Sequence, residues 1–157
     1  MATINTLMRA AQEATTGLND FFYNDPYNVT ANGTSPNYPA VFRLFRTDDN
    51  IVTAPYVDKV TQNEYLVFAK PVTKSEGMEE EEETENELMQ LAFTFLSELK
   101  KQGVKFTINP NLKWGRRDLP SYALVLIVRI AIENAVTITG DCVTLNYTTD
   151  PIPTDEC

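Results

Sequence analysis

One stretch limits the possible folds more than any other. Ser121–Glu133 reads as a single long strand with apolar side chains on both faces. Tyr122, Leu124, Leu126, Val128, Ile130 and Ile132 line one side. Ala123, Val125, Ile127 and Ala131 line the other, interrupted by Arg129. A strand of this kind has to be covered on both faces over much of its length. At about 3.3 Å per residue it runs about 40 Å, long for a small domain, so its end is expected to project and pair with a neighbouring subunit. The chain has 157 residues, which fits one domain by the usual prior of about 100–200 residues. We expect a single domain over residues 1–148 and an acidic, proline-containing tail over 149–157.

The second constraint is an amphipathic helix. Leu88, Leu91, Ala92, Phe95, Leu96 and Leu99 recur at the spacing of one helical stripe. Thr84 followed by Glu87 has the pattern of a capping box. Lys100, Lys101 and Gly103 suit the other end. Residues 73–86 read as a charged loop leading in. An N-terminal helix over 3–15 is read from Ile4, Leu7, Met8, Ala11 and Ala14, with Thr3 as N-cap and Gly17 as stop. Shorter strands are read at Ala40–Arg46, Glu64–Val72, Val104–Ile108 and Cys142–Tyr147. Residues 19–39, 47–61 and 109–120 read as loops. The order predicts an α+β fold, with a mainly antiparallel sheet and both helices, N-terminal and long amphipathic, packed on one face.

Chemistry-bearing patterns are missing. The chain has no histidine, which removes His-dependent triads, His metal sites and a His pH switch. There is no glycine-rich phosphate loop, nucleophile elbow or C-x-x-C pair. The only catalytic material is acidic: Asp48–Asp49 on an inter-strand loop, with Asp25 and Asp118 elsewhere. Carboxylate catalysis needs two acids at a fixed separation in a cleft, and nothing in the spacing specifies one. We therefore expect no enzyme, no cofactor and no metal. No run approaches the ~20 apolar residues of a membrane span, and the N-terminus does not read as a signal peptide. Cys142 and Cys157 are the only cysteines, read as a buried thiol and an exposed terminal one.

The net charge of −9 is concentrated. Without the seven glutamates of 79–87 and without Asp150, Asp155 and Glu156, 12 acids face 13 bases. A basic nucleic-acid footprint is therefore lacking. Glu79, Glu80, Glu81, Glu82 and Glu83 do not alternate with the glycines and asparagines of a calcium loop. They suit a solvated loop or a helix start. They also suit the wall of a channel that conducts DNA, where like charge keeps phosphate from sticking. Candidate contact residues are aromatic or basic. Phe21, Phe22, Tyr23 and Tyr27 stand in the long 19–39 segment, where they either cap the core or grip a partner. Trp114, Arg116 and Arg117 form a basic aromatic patch of the kind found at interfaces, unless Trp114 fills a core edge. Arg129 breaks the apolar face of the long strand.

The element order and texture resemble the tail-terminator and neck-connector proteins of tailed bacteriophages. The passages that carry the resemblance are INTLMRAAQEA, NYPAVFRLFR, NEYLVFAKPV, NELMQLAFTFLSELKKQ and RRDLPSYALVLIVRI, followed by a late cysteine strand. Together they span roughly residues 1–147. The resemblance implies a virion structural protein, assembled in the bacterial host cytoplasm into a homo-oligomeric six- or twelve-fold ring. Such a ring contacts portal, adaptor, neck or tail-tube proteins, and DNA passes through its lumen as non-specific cargo. It implies no catalytic residues. The alternative is a non-enzymatic soluble interaction or adaptor protein.

Overall fold

A computed structural model describes residues 2–45, 48–73, 78–118 and 122–148. The first helix, α1 (Ile4–Ala14), starts where expected, because Thr3 Oγ1 accepts the amide of Thr6 at 3.2 Å. It buries Ile4, Leu7, Met8 and Ala11. Gly17 follows at φ +90°, a conformation that is strained for any residue with a Cβ.

Residues 19–39 are not one loop. They hold strand β1 (Asp20–Tyr23) and helix α2 (Pro26–Ala31). The residues that read as turn punctuation are the helix start. Asp25 Oδ1 accepts the Tyr27 amide at 2.8 Å, and Pro26 stands where its missing N–H is not needed. β1 runs parallel to β2 (Ala40–Arg43), with Phe21 opposite Val41 and Phe22 opposite Phe42. The Tyr38–Pro39 peptide is cis.

Residues 47–61 also depart from the expected loop. β3 (Asp49–Ala54) and β4 (Val57–Pro71) form a hairpin around Pro55 and Tyr56. The long helix, α3 (Met78–Lys101), begins well before the expected cap. Thr84 lies inside it, its hydroxyl donating to the Glu80 carbonyl at 3.0 Å, so Thr84 and Glu87 form no capping box. Glutamates are good helix formers and favour the first turn, which lets the helix reach back through the run. β5 (Phe106–Ile108) stands as expected, whereas the basic connection after it contains strand β6 (Lys113–Asp118). β7 (Tyr122–Thr139) is longer than predicted, and β8 (Cys142–Leu145) is shorter. Cys142 is half-buried and disulfide-bonded, not the buried free thiol expected; Cys157 lies outside the described residues.

The sheet has eight strands and is antiparallel except for the β1–β2 pair. Its backbone is β4 paired to β7 along nearly their whole lengths. Each of the two is shared by successive neighbours. β4 pairs with β3 at its start and β2 further on. β7 pairs with β6, then β5, then β8. An irregularity between Val60 and Gln62, facing Asn134 at φ +52°, separates the two halves.

The larger core unites α1 and α3 with Leu66, Phe68 and the even-numbered residues of β7 from Leu124 to Ile132. The smaller core, on the opposite face, joins Phe42, Val67 and Val125 to Val29 of α2. Among the described residues no helix is long and apolar enough to cross a membrane.

Candidate assembly surfaces

The aromatic residues of 19–39 divide according to strand alternation. Phe21 points into the larger core and is 2% exposed, so it is a core residue and not a contact. Phe22 points the other way and stacks on Phe42, with ring centroids 5.5 Å apart. Tyr23 lies over the Arg43 guanidinium, 4.8 Å from ring centroid to Cζ. Tyr27, on α2, is 71% exposed, the most of the four, with Tyr23 next.

Beneath Tyr23 lies a network that the sequence reading missed. Arg43 grips Glu64 with two bonds of 2.7 and 2.6 Å, and its third nitrogen donates to Asn5 Oδ1 at 2.7 Å. Gln62 donates to the same carboxylate. Glu64 is fully buried and Arg43 nearly so. The pair ties α1 to the middle of the sheet. The i, i+2 spacing of Gln62 and Glu64 on a strand is the only sequence trace of it. Next to it, the buried Asn63 side-chain nitrogen has no hydrogen-bond partner among the described residues.

The basic aromatic patch is split by β6. Trp114 and Arg116 stand on the face of α3, opposite Leu126 and Leu124 in register. Arg117 and Lys113 stand on the other face, opposite Ala123 and Ile127. Arg116 Nε donates to Glu81 at 2.8 Å, and this carboxylate and its bond hold the guanidinium charged above its usual range. Glu81 is thus committed to β6, while Glu79, Glu80, Glu82 and Glu83 are exposed on the first turns of α3. Arg129 lies over the Tyr65 ring at 5.4 Å and bonds Asp48 at 3.2 Å. Asp48 also accepts from the Tyr65 hydroxyl at 3.4 Å, and Asp49 accepts the Asn63 amide at 3.1 Å. These bonds fasten the approach to β3 onto the sheet.

Two surfaces among the described residues combine apolar side chains with open strand edges or cavities. The first is the far end of the sheet, where β3, β4, β7 and β8 lie side by side. Ile51, Val60, Val136 and Leu145 form one cross-strand row, and Thr53, Asp58, Ile138 and Val143 form the next on the same face. Ile51 is 68% and Val143 63% exposed, and none of these six apolar residues belongs to either core. The other face of the same strands is more polar, with Val52, Lys59, Thr137 and Thr144 in one row. Among the described residues β3 and β8 each have an unpaired outer edge.

The second surface is a groove on the face away from α1 and α3. Two adjoining cavities of about 330 and 320 Å³ share Leu44 and Ile127. Val67 and Val125 continue the floor, and Tyr27 and Tyr65 stand in the two ends. A comparison with known protein families finds no match to this chain, and a comparison with curated proteins finds none either.

Proposed function

We propose that this chain is a ring-forming structural subunit of the neck or tail of a tailed bacteriophage, a tail terminator or head–tail connector with a lumen for DNA. One observation carries the self-association in this reading: the four-stranded end of the sheet, apolar on one face and, among the described residues, unpaired at both edges. Contiguous exposed apolar patches mark interaction sites, and open edges invite pairing with another chain. β4 and β7 extend the sheet past the helix-covered core and so carry this surface away from it. A ring arises naturally when two different surfaces of one subunit meet head to tail and the rotation closes. The phage assignment itself rests on the resemblance in element order, with α1 and α3 packed on a single face of the sheet. Glu79, Glu80, Glu82 and Glu83 suit a lumen wall, since exposed acids repel phosphate. Of the candidate contacts from the sequence, Tyr23, Tyr27, Trp114, Arg116 and Arg117 are exposed, with Tyr23 stacked on Arg43 and Arg116 paired to Glu81.

The test is native mass determination of the full chain, with negative-stain imaging of any large species. A closed six- or twelve-fold ring with an open lumen is the expected result. A chain that stays monomeric at high concentration, and is missing from purified phage particles, overturns the reading in favour of a monomeric adaptor.

A further inference from the structure

We infer that the tip of the β3–β4 hairpin, carrying Tyr56, inserts into the groove on the face away from α1 and α3 of a second copy of this chain. The inference rests on the self-assembly proposed above and names the two surfaces that join one subunit to the next.

The tip presents an aromatic side chain on a stiff turn. Ala54 pairs with Val57, so Pro55 and Tyr56 alone make the turn. Proline fixes its own φ, which leaves this turn little freedom to lose on binding. Tyr56 is 88% exposed, the most of the exposed large hydrophobic residues described. Tyrosine offers a large contact area while ordering only two torsions, and it is among the side chains that dominate interfaces.

The groove suits the tip in size and in charge. Its two cavities, of about 330 and 320 Å³, share the apolar floor of Leu44 and Ile127, which leaves room for an aromatic side chain and the turn behind it. The two ends differ in charge. At one end Asp25 and Asp118 outnumber Arg117. At the other Arg129 is held by Asp48, and Lys113 has no carboxylate partner among the described residues. One end is therefore net acidic and the other net basic. The hairpin carries the matching pair. Asp58 and Lys59 follow directly behind the turn and, being consecutive on β4, point to opposite faces of it. Neither has a charged partner among the described residues. With Tyr56 on the floor, Asp58 faces Lys113 and Lys59 faces Asp118. Two contacts of opposite sense admit one orientation of the hairpin and penalise the reverse.

Rigidity excludes the same copy. The tip and the groove floor belong to one strand: Val57 and Val67 both lie on β4, about 33 Å apart at strand rise. β4 is paired to β7 over nearly all of that length, so it cannot fold its own tip back. The two surfaces are also different. A contact between them repeats head to tail from copy to copy and closes into a ring when the rotation allows.

The experiment follows self-association of the full chain by sedimentation velocity, using two charge-reversed variants checked for an unchanged melting temperature. One carries Asp58→Lys with Lys59→Glu in the hairpin. The other carries Lys113→Glu with Asp118→Lys in the groove. Each alone is expected to associate at least tenfold more weakly than the unaltered chain. Mixed in equal amounts they should associate again, because each hairpin then meets a groove of matching charge. A folding defect cannot produce that rescue. Tyr56→Ser, in an exposed turn, should weaken association of the otherwise unaltered chain at least tenfold. Association untouched by these changes, a mixture that stays dissociated, or an unaltered chain that is monomeric at high concentration overturns the inference. A closed ring indifferent to all the variants leaves the ring and removes the docking. Open filaments that obey the mixing rule leave the docking and remove the ring.

Discussion

Glu64 is the residue whose environment departs furthest from what a carboxylate prefers. It is fully buried and survives there because Arg43 and Gln62 supply donors around it. Removing one partner of such a pair leaves an uncompensated buried charge, which costs about 3–5 kcal/mol. Glu64→Ala is therefore expected to lower unfolding stability by about that amount in a denaturant titration. Replacing both partners by apolar residues of similar size, Arg43→Met with Glu64→Leu, should cost markedly less. A denaturation midpoint for the double variant as low as for Glu64→Ala would show instead that the pair itself contributes net stability, and not only that each partner compensates the other's buried charge. The neighbouring aromatic residues give a second test. Phe21→Ala removes a core side chain and should cost about 3–5 kcal/mol. Tyr27→Ala changes an exposed one and should stay within about 0.5 kcal/mol. These two residues looked alike in the sequence; Phe21 differs because it stands on a strand paired to β2, facing α1.

At the scale of elements, the far end of the sheet and the start of α3 are the informative pieces. Ile51→Lys with Val143→Lys places charges on the exposed apolar face, outside both cores. Circular dichroism and melting temperature should hardly change, while the assembled fraction by light scattering should fall. If assembly persists, a different surface joins the subunits. The first turns of α3 are tied to β6 through Glu81 and Arg116, an exposed pair. Solvent screens such an exposed pair, so Arg116→Ala should leave the denaturation midpoint nearly unchanged. Trp114→Ala with Arg117→Ala, by contrast, should leave the monomer folded and reduce assembly by analytical ultracentrifugation. The two residues stand on opposite faces of β6, so the single variants should act separately.

For the molecule as a whole, the controlling fact is that β4 and β7 are longer than the layer of helices that covers them. Where α1 and α3 lie, the sheet has the larger core. Beyond the irregularity at Val60 and Gln62 the same two strands continue with β3 and β8 and carry apolar side chains that nothing described covers. One half of the sheet carries the larger core, and the other half presents apolar side chains that no described residue buries into either core.

Much of the architecture was legible from local pattern. α1, its Thr3 cap, the stripe of α3 and the strand character of 122–133 follow from periodicity, which depends only on which residues are apolar and how they are spaced. The missed elements share one cause. β1, α2, β3 and β6 are short and set among turn-forming or charged residues, so the strand formers of β1 and β3 and the Asp25–Pro26 start of α2 are too few to mark an element by periodicity. β3 and β6 become strands because β4 and β7 offer paired edges to lie against, a long-range contact that no local window contains. The early start of α3 reflects the helix-forming strength of glutamate and follows the helix-start reading of the 79–83 run, not the loop reading of 73–86. The candidate surfaces divide in the same way. The sequence by itself determined that Trp114, Arg116 and Arg117 are adjacent and that 79–83 is acidic. Only the tertiary structure decided that alternation on β6 sends Arg117 into a groove and Arg116 to Glu81, because which face a strand residue occupies is defined by the sheet it joins.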